Sequence, residues 1–109
     1  MKTEIRLARA IKKLPEFWVF QDKRDANGKL MDYVQEKQQP TLRLKHGRED
    51  YYLAIIDRGQ GKEVDGAFDY EYEERYLVKA MDDWAKKYGF RWECIINDGL
   101  YGLVDEGVA

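Results

Sequence analysis

Side chains able to carry chemistry are few in this sequence, and their scarcity narrows what it can do. His46 is the single histidine among 109 residues, so a site built on two histidines, for metal or for paired proton transfer, has no material within one copy. Cys94 is the single cysteine, which removes intrachain disulfides and cysteine-based zinc sites and fits a reducing compartment. A Cys94–His46 nucleophilic pair would require the fold to bring the two together. Strand alternation instead places Cys94 on one face with Trp92 and Ile96, where packing in the core is the expectation. His46, beside Gly47 and Arg48, reads as a polar turn residue.

Carboxylates offer more. Asp57 and Asp65 flank a glycine-bearing connection and, with Asp69 or Glu71, could assemble an oxygen-rich site for a divalent cation and a metal-dependent enzyme. Against this, period-two alternation in AFDYEYE turns Asp69, Glu71 and Glu73 toward solvent, as exposed acidic rows commonly are. Nothing in the pattern announces a sugar-sized cleft between paired carboxylates. Arg58-Gly59-Gln60-Gly61-Lys62 has glycines and a lysine but lacks the GxxxxGK[ST] spacing, the hydroxyl residue and the following helix of a phosphate cradle. It reads as a turn, and no metal or cofactor is expected.

The formal net charge of −2 conceals two opposed regions. Arg43, Lys45, His46 and Arg48, with Tyr51 or Tyr52 nearby, could meet phosphate and stack a base, giving a nucleic-acid-binding strand. From Glu63 to Glu74 the chain carries six acids and no base. There Asp69, Glu71, Glu73 and Glu74, with Asp82 and Asp83 further on, could face a basic protein surface. The two patches could also answer each other across a sheet. Eight tyrosines exceed what a core of this size easily covers, and tyrosine serves well at interfaces. Tyr70, Tyr72, Tyr76 and Tyr101 are expected at core-facing or marginal positions, and Trp18, Trp84 and Trp92 are expected to help build the core.

These groups must be positioned by one small domain spanning 1–109, with a loose end at 105–109, since the length and apolar content suit a single core. Leu7, Ile11 and Leu14 are spaced for a helix over 4–14, with Thr3 as cap and Pro15 as terminator. EFWVFQ predicts a strand and Asp22 to Gly28 a turn, while KLMDYVQEKQQ suits either a return strand or a short helix. TLRLKH alternates as a half-buried strand, and YYLAIID, apolar on both alternating sets, predicts a strand covered on both sides. From Glu74 to Tyr88 the period changes to 3.6, predicting a second helix closed by Gly89. FRWECII and LYGLV then form a hairpin; a two-residue Asp98-Gly99 turn would set Ile96 opposite Tyr101 and Cys94 opposite Leu103. The expected fold class is α+β, a mainly antiparallel sheet with two helices packed on one face.

In the second half, DGAFDYEYE at 65–73, the helix ending KKYGF at 86–90 and DGLYGLV at 98–104 resemble the Ycf35/DUF1257 family of uncharacterised small bacterial, phage and plastid proteins. The resemblance implies a small α+β fold and supplies no catalytic residues.

The sequence therefore leads to a non-enzymatic interaction module, a bacterial or phage regulator or inhibitor that binds a basic partner through Asp69, Glu71, Glu73 and Glu74. A cytoplasmic monomer or sheet-extended homodimer is expected, because no apolar run spans a bilayer and no signal peptide is recognisable. The alternatives are nucleic-acid binding through residues 43–48 and metal-dependent catalysis around residues 57–71.

Overall fold

A computed structural model of the protein describes residues 2–44, 51–58, 65–71 and 74–107. Elements follow in the order α1 (Thr3–Ile11), β1 (Phe17–Arg24), β2 (Leu30–Gln38), β3 (Arg43–Leu44), β4 (Ala54–Asp57), β5 (Phe68–Glu71), β6 (Glu74–Leu77), α2 (Lys79–Lys87), β7 (Phe90–Ile96) and β8 (Leu100–Asp105). The fold is α+β and the named strands pair antiparallel. They are divided among three sheets, the hairpins β1–β2 and β5–β6 and a four-stranded sheet in the order β3-β4-β8-β7.

Both helices lie on one face of the four-stranded sheet. Leu7 and Ala10 of α1 and Met81, Trp84 and Ala85 of α2 are buried with Ala54, Ile56, Phe90, Tyr101 and Leu103 of the strands. Trp84 joins the layers. Its indole Nε1 donates to the Ala10 carbonyl at 2.8 Å, and its ring stacks on Trp92 at 6.1 Å. Trp92 in turn donates to the Met81 carbonyl at 3.2 Å. Ala54, Ile55 and Ile56 are all buried, as expected for a strand covered on both sides. On the face away from the helices Ile55 pairs with Gly102, and the Tyr52 ring lies directly on that glycine. A Cβ at position 102 would sit 2.1 Å from Tyr52 Cδ1. Tyr51 packs edge-on against Tyr52 at 5.0 Å and donates to Glu93 at 3.2 Å.

Several local expectations are corrected. Glu74–Leu77, expected to begin the second helix, is strand β6 because β5 supplies an antiparallel partner, Leu77 pairing with Phe68. Val78 then closes onto the body through its N–H to the Ala67 carbonyl at 2.9 Å, and the helix starts at Lys79. Thr3 is inside α1, capped at Lys2 without a side-chain bond; its hydroxyl donates to Asp105 at 2.8 Å instead. The segment that suited either strand or helix is strand β2. The β7–β8 register also differs: Ile96 pairs with Leu100 and Cys94 with Tyr101, with an irregularity between Cys94 and Ile96. Residues 97–99 make a three-residue connection in which Gly99 takes φ +93°, the left-handed conformation such loops require.

The radius of gyration is 15.9 Å and the extents are 54 × 31 × 28 Å, against about 13 Å expected for a compact chain of this length. The β1–β2 hairpin accounts for an elongated outline. Its main contact with the body is at its base, with the turn at Asp65–Ala67, where Phe17 touches Gly66 and packs against the core. Trp18, expected in the core, is 57% exposed on this hairpin, with the Lys37 ammonium 5.2 Å from its ring.

Candidate interaction surface

Hairpin β5–β6 sorts its residues by face. Directly paired residues project to the same side of an antiparallel ladder, and the pairs are Phe68 with Leu77, Asp69 with Tyr76, Tyr70 with Arg75 and Glu71 with Glu74. One face therefore carries Asp69, Glu71, Glu74 and Tyr76; the other carries Phe68, Tyr70, Arg75 and Leu77. Phe68 anchors the second face in the core, which turns the first outward.

On the outward face Asp69 and Glu71 are exposed, and no ion pair engages either among the described residues. Tyr76 is 40% exposed beside them. Glu74 is half-buried and accepts a hydrogen bond from Asn97 Nδ2 at 3.3 Å. Glu71 and Glu74 stand directly opposite each other, an arrangement that like-charge repulsion disfavours until a cation arrives. Glu73 lies outside the described residues. Asp82 and Asp83 are exposed on α2; Asp83 pairs with Lys79 at 2.7 Å, while desolvation raises the carboxyl pKa of Asp82.

The inward face holds a different chemistry. The Arg75 guanidinium carbon lies 3.8 Å from the Tyr70 ring centroid, and Tyr70 is 60% exposed rather than core-facing. Arg58, Phe68, Tyr70 and Arg75 line a hollow of about 250 Å³. Beneath it Tyr101, buried as expected, donates from its hydroxyl to the Arg75 carbonyl at 2.6 Å. Burial pushes the Tyr101 hydroxyl up to about 12, with Cys94 adding to the shift.

Of the basic cluster, Arg43 is exposed on β3, in a different sheet from the acidic hairpin. Lys45, His46 and Arg48 lie outside the described residues. Tyr52 is occupied against Gly102, which leaves Tyr51, 64% exposed, as the aromatic open to solvent on this side. Asp57 ends β4 and Asp65 opens the short turn before β5; among the described residues no three His, Cys, Asp or Glu side chains group for a metal ion. Cys94 is exposed, its thiol donating to Asn97 Oδ1 at 2.9 Å. It keeps the face of Trp92, paired with Tyr101, but is exposed there rather than packed in the core.

Sequence reasoning missed the Arg58–Arg75–Tyr70 grouping. The sequence pattern puts Arg75 at a helix start and Tyr70 at a core-facing or marginal position, and only the β5–β6 register places the two together. It also missed a larger hollow of about 640 Å³ between α1 and the β3–β4 side, with Leu7, Ala8, Ile11 and Leu53 among its walls. None of the described helices is long and apolar enough to cross a membrane. No family model, curated protein or solved structure matches the chain.

Proposed function

We propose that the chain is a non-enzymatic protein-interaction module, a small cytoplasmic regulator or inhibitor of bacterial or phage type, whose β5–β6 hairpin presents an acidic and aromatic face to a basic partner surface. The observation that carries this reading is the Glu71–Glu74 cross-strand pair flanked by exposed Asp69 and Tyr76. Juxtaposed carboxylates raise the energy of the free hairpin, and a lysine or arginine placed between them relieves it. Tyr76 supplies the flat, amphipathic contact that gives such an interface a desolvated centre. The action is steric and electrostatic: occupation of the partner's basic site, with association accelerated by opposite charge and weakened by salt.

The test is a tagged pull-down from the native host with all recovered protein and nucleic acid identified, run beside D69K/E71K. Both substituted residues are exposed, so the variant keeps the wild-type circular dichroism. A stoichiometric partner with a basic docking surface, retained by wild type at low salt and lost by the variant, is the expected result. The same partner held equally by both proteins defeats the placement on β5–β6. Nucleic acid recovered equally by both transfers the activity to the strand around Arg43, where R43Q should then reduce the salt-sensitive affinity.

A further inference from the structure

The outer side of α1 carries a pattern that is its own complement. Glu4, Ala8 and Lys12 stand at i, i+4 and i+8 and so share one face. All three are exposed, and all three line the hollow of about 640 Å³ between α1 and the β3–β4 side. Its other walls are largely apolar: Ile11 and Leu53 are half-buried there, and Leu44 at its edge is 56% exposed. Residues 45–50, which lead on from Leu44, are Lys, His, Gly, Arg, Glu and Asp, without an apolar side chain to cover these walls. Glu4 and Lys12 lie about 12 Å apart along the helix axis, too far to pair with each other, and among the described residues no ion pair engages either. The helix itself is held in place. Arg6 is bonded to Asp105, the Ala10 carbonyl accepts from Trp84 at 2.8 Å and the Leu14 carbonyl from Gln39 at 3.1 Å, so a partner meets a preformed surface.

We infer that this face docks a second copy of the chain, the two α1 helices lying antiparallel about a two-fold axis that passes by Ala8. Two-fold antiparallel pairing brings residues equidistant from its centre to one level. Glu4 and Lys12 are each four positions from Ala8, so each Glu4 meets the partner's Lys12, and the contact is made twice. Ile5, 47% exposed, and Ile11 are each three positions away and come level in the same manner. At the centre Ala8 has no bulk beyond its methyl group, which lets the two helices approach closely. Parallel pairing would instead set Glu4 against the partner's Glu4 and Lys12 against the partner's Lys12, and like-charge repulsion disfavours it. Each hollow is closed by the other copy's helix, which takes Ile11, Leu44 and Leu53 out of water. That burial supplies the affinity, while the exposed ion pairs fix the direction. A helix of nine residues offers less than the roughly 800 Å² per partner of a standard stable complex, so dilution dissociates this dimer. The surface shares no residue with the β5–β6 hairpin, and D69K/E71K should dimerise as wild type does.

The probe is the full chain alone, in sedimentation equilibrium over roughly a hundred-fold range of concentration. A reversible monomer–dimer equilibrium is expected. E4K and K12E should each weaken it by about ten-fold, because both copies of the ion pair are lost and like charges replace them. E4K/K12E exchanges the two ends of the same pair and should dimerise as wild type does. An equimolar mixture of E4K and K12E should form a heterodimer tighter than the homodimer of either. A8E, which sets two carboxylates against each other at the centre, should also weaken the dimer while the circular dichroism stays that of wild type. Both charge changes work against the helix dipole, so helix weakening would accumulate in E4K/K12E, whereas the dimer contact is restored in it. Should E4K/K12E lose helix by circular dichroism, the mixture and A8E decide. A monomer throughout the concentration range overturns the assignment and leaves the hollow to another occupant. A dimer that keeps its affinity in E4K, K12E and A8E belongs to a different surface and overturns it as well, as does a loss in the single variants that neither the exchange nor the mixture repairs.

Discussion

Asp105, the last residue of β8, gathers three donors: the Thr3 hydroxyl at 2.8 Å, the Gly107 amide at 2.8 Å and the Arg6 guanidinium, which also stands 4.6 Å from the Phe90 ring. Burial alone would raise the carboxyl pKa, but the bonds from Gly107, Thr3 and Arg6, with the Arg6 charge, outweigh it and hold the group below its ordinary 3.8. A carboxyl depressed in the folded state adds stability that is fully present above the unfolded value and lost as pH falls through the folded one. D105N should therefore cost about 1–3 kcal/mol at neutral pH, and its Tm deficit against wild type should close as pH is lowered below about 4. A deficit constant with pH would refute the charge-based account. Trp84 offers a second case. W84F keeps most of the apolar ring but removes the indole bond to the Ala10 carbonyl, which keeps the Lys13 N–H at 2.9 Å as a donor, at a cost of about 0.5–1.5 kcal/mol, measurable by urea denaturation. Neither contact could be read from the sequence, because Thr3 and Asp105 are 102 positions apart and no local period links them. What was legible at this scale was simpler: His46 and Cys94 as single copies, and Asp69 and Glu71 as solvent-facing acids.

Among elements, hairpins and helix centres were legible while their boundaries and registers were not. Ala54–Asp57 and the Met81–Trp84–Ala85 face announce themselves by burial pattern. The 74–78 segment does not, since Leu77 fits the period of the following helix as well as it fits β6, and only the pairing with Phe68 decides between them. In the same way Asp98-Gly99 signals a turn but not its length, and the extra turn residue together with the irregularity between Cys94 and Ile96 shifts Cys94 from Leu103 to Tyr101. The contact of Tyr52 with Gly102 tests how far a strand depends on what covers it. Alanine is ordinarily a better strand residue than glycine by about 0.5–1 kcal/mol. At position 102 the added methyl meets the ring at 2.1 Å, and G102A should instead destabilise by about 1–3 kcal/mol. In a Y52A background the same substitution should cost little, giving a coupling of at least about 0.5 kcal/mol in a double-mutant cycle. Strict additivity would show that the ring does not constrain this strand.

For the molecule as a whole, the α+β class and the placement of both helices on one sheet face followed from composition and period, but the division of strands among three sheets did not. Sheet membership depends on long-range pairing, and β1 and β2 alternate as convincingly for a shared sheet as for a separate hairpin. Their separation has a measurable effect. A two-stranded ribbon that meets the body mainly at its base has little apolar burial to protect its ladder. In native-state hydrogen exchange the amides of β1 and β2 should open far below the global unfolding free energy, while those of β4 and β8, between buried Ile56, Tyr101 and Leu103, exchange only with global unfolding. Equal protection in the two regions would mean that the ribbon folds as one cooperative unit with the body.

The three indoles divide along the same line. Trp84 and Trp92 are stacked at 6.1 Å within the helix-covered layer, whereas Trp18 stands on the ribbon, 57% exposed, under the Lys37 ammonium. A collisional quencher such as iodide therefore acts selectively on Trp18 emission, and energy absorbed by the core pair is shared between two closely coupled rings. In W18F the remaining fluorescence follows the helix-covered layer alone, and the difference from wild type isolates the ribbon, so intrinsic emission can report the two parts of the molecule separately without any attached dye.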